Sequence, residues 1–155
     1  MLKTITLDDI RSWEPCYDPA EVAPDGWEGT AIDVLDSGLA HNDKLWVVLR
    51  DEVMIPRLQR LFAVWCARRA LALRDNPDPR SVAACDVAEH HANGKATDEE
   101  LAAAWAAVRA AASDAAWAAA SDTARAAAWA AARDAQVAKL KEMVLEEHRH
   151  EVEIL

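Results

Sequence analysis

Four glycines in 155 residues, none in a GxGxxG or GxxxxGK[ST] arrangement, exclude the backbone loops that cradle nucleotide phosphates. No GxSxG elbow and no HExxH pair is present, so acyl transfer of that type and zincin chemistry have no carrier. Cys16, Cys66 and Cys85 are odd in number and lack CxxC spacing. That argues against a disulfide framework or a zinc site and for a reducing compartment. Alternating strand patterns are missing apart from a short Leu2–Thr6 stretch. The alanine-rich tract, the longest apolar run, is broken by Arg109, Asp114, Asp122 and Arg125, which are too costly for a lipid span. The first residues show no hydrophobic leader. These absences predict a cytoplasmic protein with no membrane segment and no cofactor.

What is present is unevenly distributed. Apolar residues make up 52% and charged residues 28%, a globular rather than a disordered balance. At this length one domain over 1–155 is expected. Seven tryptophans accompany a single tyrosine, Tyr17, and a single phenylalanine, Phe62. The net charge is −10. A surface of that sign opposes direct contact with nucleic acid or anionic membrane and favours a protein partner with a basic surface.

Start and stop signals divide the chain. Thr6 can cap a helix over Leu7–Trp13 that Pro15 stops, and residues 16–29 read as an irregular acidic loop. Thr30 caps Ala31–Ser37, with Gly38 placed as the residue that closes the helix. Asn42 or Asp43 begins a third helix with Leu45, Trp46 and Leu49 on one stripe. Pro56 opens a fourth, whose Leu58, Leu61, Phe62, Trp65 and Cys66 repeat at three and four. Asn76-Pro77-Asp78-Pro79 breaks the chain before a fifth helix, which ends at Gly94. Thr97 and Glu100 form a capping-box pattern that opens the alanine-rich helical tract. The expected segments are 1–30 (short helix and acidic loop), 31–94 (helical core) and 97–150 (alanine/tryptophan-rich helices).

Neither glycine nor proline occurs after Thr97. An unbroken helix of about 50 residues would reach about 75 Å, against a radius of gyration near ~15 Å for a compact chain of this length. Trp105, Trp117 and Trp129 recur every twelve residues. In one helix that spacing advances each indole by about 120°, so the three cannot share a face. Leu101, Trp105 and Val108 make one coherent stripe, and Trp129, Val137, Leu140 and Val144 another. Either the tract is a central rod wrapped by other helices on every side, or it breaks; a break between Ser113 and Thr123 gives each stripe its own face. The expected fold is therefore all-α, a compact bundle of about six to seven helices around an Ala/Trp-rich C-terminal segment. Trp46, Trp65, Trp105, Trp117 and Trp129 are its expected core aromatics.

Candidate chemistry is sparse. His90-His91 and His148-Arg149-His150 are the histidine clusters, but adjacent residues on a helix point about 100° apart. A metal-dependent enzyme or small-molecule binder built on His90 and His91 is one alternative, and a self-assembling helical module, including a homodimer, is another. The loop offers a recognition patch instead. Trp13, Tyr17 and Trp27 are interleaved there with Glu14, Asp18, Glu21, Asp25 and Glu28, a composition suited to a basic partner.

Trp13-Glu14-Pro15-Cys16-Tyr17-Asp18-Pro19, Lys44–Leu49, Phe62–Ala67 and Asn93–Leu101, with the alanine/tryptophan/arginine tail, resemble a family of small bacterial and phage proteins known as immunity proteins. The resemblance runs from Leu7 to Met143. It implies no catalytic residues. It implies a non-enzymatic inhibitor that occludes a toxin or, given phage occurrence, a nucleic-acid-binding defence complex such as a CRISPR effector.

Overall fold

The computed structural model describes the backbone of residues 3–21, 23–115 and 122–153, and their side chains outside 109–131. The protein is all-α, with seven helices and one two-stranded sheet among the described residues. Expected from sequence as one domain, the chain gathers its contacts into two units, Met1–Ile55 with Trp129–Leu155, and Pro56–Ala128.

In the first unit, β1 (Ile5–Thr6) pairs antiparallel with β2 (Glu28–Gly29), with Ile5 opposite Gly29. The chain passes directly from β1 into α1 (Leu7–Ser12) because Thr6 caps it. The Asp9 amide donates to Thr6 Oγ1 at 3.0 Å, and the Thr6 amide donates to the Asp9 carboxylate at 2.8 Å. Thr30 and Asp33 repeat this capping box at α2 (Ala31–Asp36). Each box satisfies amides that a helix start leaves without partners.

Two expected caps differ. Gly38 does not adopt a left-handed conformation. Ser37 ends α2 in an extended conformation, and its hydroxyl donates to the Val34 carbonyl at 2.6 Å. A side-chain oxygen thus does what glycine was expected to do. The third helix, α3 (His41–Val48), starts one residue before Asn42, on Ala40, which offers no side-chain cap. The amides of Asp43 and Lys44 donate to the Ala40 carbonyl.

The buried residues of this unit are Ile5, Leu7, Ile10, Val34, Leu35, Val47 and Val48 and, from α7 (Asp122–Glu153), Leu140, Met143 and Val144. Lys141 Nζ of α7 reaches both carboxylate oxygens of Asp36 at 2.6 and 2.7 Å. The stripe expected on α3 is displaced. Val47 and Val48 are fully buried, whereas Leu45, Trp46 and Leu49 are half-buried around an open cavity.

The second unit is built from α4 (Pro56–Ala72), α5 (Pro79–Ala92) and α6 (Asp98–Ala115), with α5 packed against both neighbours. Asp78 caps α5 by accepting from the Arg80 amide at 2.8 Å, and Gly94 leaves it at φ 69°. The box before α6 forms as expected, with the Thr97 amide donating to Glu100 at 2.8 Å. Val64, Cys85 and Ala88 are buried here with Leu71 and Leu101 packed against them. Leu58 and Phe62 of the expected α4 stripe are buried, while Leu61, Trp65 and Cys66 are only half-buried.

Trp105 corrects the reading of the tryptophan repeat: it is 57% exposed rather than core. The alanines around it are too short to enclose an indole. Trp46 and Trp65 are half-buried. Trp117 and the Trp129 side chain lie outside the described residues, as does most of the Ser113–Thr123 stretch where a break was expected.

Candidate functional site

The loop between α1 and α2 is held by backbone bonds at both ends. The Leu7 amide donates to the Trp27 carbonyl at 3.0 Å beside the β1–β2 pair. Trp13 ends α1, and Glu14 turns away from it at φ 54°, the one non-glycine residue with positive φ among the described residues. Such a conformation costs a side-chain-bearing residue about 1 kcal/mol. Pro15 then prevents the helix from continuing. Asp18 accepts from the Ala20 amide at 2.9 Å and opens a short 3-10 turn over Pro19–Glu21, with Pro19 buried beneath it. A second turn runs from Pro24 to Trp27, whose amide donates to the Pro24 carbonyl at 3.0 Å. Gly26 supplies the positive φ there. Gly29 is required for a different reason. A Cβ at that position would stand 2.5 Å from the Trp27 ring.

These turns separate the aromatic residues from the acidic ones. Trp13, Tyr17 and Trp27 are half-buried, whereas Glu14, Asp18, Glu21, Asp25 and Glu28 are exposed. Trp13 meets Trp46 edge to face, with ring centres 6.4 Å apart. The Arg50 guanidinium lies over both rings, at 4.8 and 4.9 Å, so the cation and the ring quadrupoles attract. Arg50 also faces Glu52, at 3.4 Å. Tyr17 has its hydroxyl enclosed without a hydrogen-bond partner, and burial, with Asp43 nearby, pushes its pKa up. The eight residues grouped in the expected patch therefore do two jobs. Three aromatics hold the loop, and five carboxylates face outward. Among described cations, Arg11 touches them, through Asp25 at 3.5 Å.

Arg50 carried no signal in the sequence, because only the fold brings it between two tryptophans 33 residues apart. Trp46 was expected in the core. It instead lines a surface cavity of about 580 Å³ with Asn42, Leu45, Leu49, Arg50, Asp51 and Glu52.

The histidines are dispersed. His90 is exposed, and His91 Nε2 lies 2.6 Å from the Asp98 carboxylate. His41 meets Asp134 at 2.6 Å, and His148 lies 3.9 Å from Glu151. Among the described residues, no three His, Cys, Asp or Glu side chains converge as a metal-binding group. Cys16 is exposed, Cys66 half-buried and Cys85 buried, and burial raises the Cys85 thiol pKa. No described helix is long and apolar enough to cross a membrane. No protein-family model, curated protein or solved structure matches the chain.

Proposed function

We propose that this protein is a non-enzymatic inhibitor that neutralises a basic protein partner by covering it with the acidic face of residues 14–28. The observation carrying this reading is the separation of loop residues into an aromatic framework and five outward carboxylates, on a chain of net charge −10. Carboxylates held on a fixed backbone lose little freedom on binding, and a shared sign steers a basic surface toward them. The partner class is a toxin or a nucleic-acid-binding defence effector, whose basic groove such a face would occupy in place of nucleic acid.

The test compares the wild type with a variant carrying E14Q, D18N, E21Q, D25N and E28Q. Each is used to co-purify proteins from host lysate, which are then identified by mass spectrometry. A basic protein retained by the wild type, released by raised salt and lost in the variant is the expected result. Equal retention by both, or none by either, would reject the proposal.

A further inference from the structure

The second unit carries a surface of opposite charge. No Asp or Glu occurs between Pro56 and Arg74, while Arg57, Arg60, Arg68, Arg69 and Arg74 do. Three of these have local partners. Arg68 bonds Asp86 and Glu89 at 2.8 and 2.6 Å, Arg57 bonds Asn93 at 3.2 Å, and Arg69 lies over Trp65 at 5.0 Å. The Arg60 and Arg74 guanidiniums make no ion pair among the described residues and stand at either end of a groove of about 350 Å³.

The groove is shaped for a helix. From α4 it is lined by Arg60, Ala63, Val64, Ala67, Ala70 and Leu71, among which Arg60, Ala63, Ala67 and Ala70 follow at three, four and three, and Arg74 lines it from just beyond the helix. That spacing is the heptad seam by which one helix receives the knobs of another. Ser81, Ala84 and Ala88 of α5 repeat the same rhythm, and Trp105 of α6 stands at the lip, 57% exposed. Among the described residues, three helices thus line one groove with small side chains between larger apolar ones, as three members of a four-helix bundle do toward the fourth. The alanines leave holes that bulky side chains fill. Arg60 precedes the α4 alanines in this lining, and Arg74 follows the end of the helix at Ala72.

We infer that this groove receives an amphipathic helix of a partner protein, with large apolar residues at heptad spacing and carboxylates at both ends. The inference is independent of the acidic face, since it demands the opposite charge of its ligand.

Two stapled, fluorescein-labelled peptides of sixteen residues test it, both with leucine at the seam positions, one ending in glutamates and the other in lysines. Fluorescence anisotropy should show the glutamate peptide binding the wild type at least tenfold more tightly than the lysine peptide. R60E/R74E should invert that preference. A67W, which fills the groove from an exposed position, should weaken both peptides at least tenfold with unchanged far-UV circular dichroism. The acidic-face variant should bind the glutamate peptide like the wild type. If binding is lost in that variant, or is absent or charge-blind in the wild type, or survives A67W, the inference fails. Sedimentation velocity supplies the remaining outcome. A wild-type dimer dispersed by A67W would assign the groove to a second copy and overturn the partner helix.

Discussion

At the scale of single residues, the strongest local determinants are carboxylates held by backbone amides. Donation from the Thr6 amide and hydroxyl lowers the Asp9 pKa, and Thr30 does the same for Asp33. The Arg80 side chain and amide hold Asp78 at about 2. A carboxylate whose folded pKa is depressed stabilises the fold above its unfolded pKa of about 4, and that contribution disappears as pH falls through the folded value. Urea midpoints should therefore hold between pH 7 and about 5 and drop between about 4 and 2. In D9N/D33N the drop should be shallower; an unchanged acid slope would show that these caps do not carry it. Thr6→Ala should cost about 1 kcal/mol at pH 7. Arg50 lies over two indoles, so Arg50→Ala should lose about 1–2 kcal/mol by chemical denaturation, with a change in tryptophan emission. Lys at that position should recover only part, because it lacks the planar guanidinium.

At the scale of elements, α3 begins on an alanine without a side-chain cap. Ala40→Asp should raise stability by about 0.5–1 kcal/mol, since it adds both a cap acceptor and a favourable charge at the helix start. A thermal midpoint that stays put would argue that the amides at the start of α3 are already satisfied. The tryptophans sort by surroundings rather than by spacing. Trp105→Ala removes an indole that is 57% exposed and should cost less than about 1 kcal/mol. Leu140→Ala removes a side chain with no exposure and should cost about 2–5 kcal/mol. Periodicity located helices well because caps and prolines act within one turn. It ranked their faces poorly. Val47 and Val48 are fully buried where Leu45, Trp46 and Leu49 were expected, so the period was right and the direction of the core was not.

At the scale of the whole molecule, the two contact units draw on the chain differently. Pro56–Ala128 is continuous, whereas the other unit combines the first 55 residues with Trp129–Leu155. Leu140→Ala should therefore reduce hydrogen-exchange protection in α1, α2 and α3 more than in α4 and α5. Equal loss everywhere would mean that the units open together. Charge is divided as well, with exposed carboxylates along residues 14–28 and an arginine-only α4. The two proposed ligands carry opposite sign, so charge variants of one surface can be tested apart from those of the other.

By itself the sequence determined the helical class, most helix starts and the acidic character of the loop, because capping boxes, prolines and net charge act over three or four residues or through simple summation. Only the tertiary structure decided which aromatics are framework and which are exposed. Trp13 is fixed by Trp46 and Arg50, and the buried residues of α2 and α3 fall in one contact unit with Leu140, roughly a hundred residues away. Burial depends on partners at that distance, and helical periodicity carries no information about them.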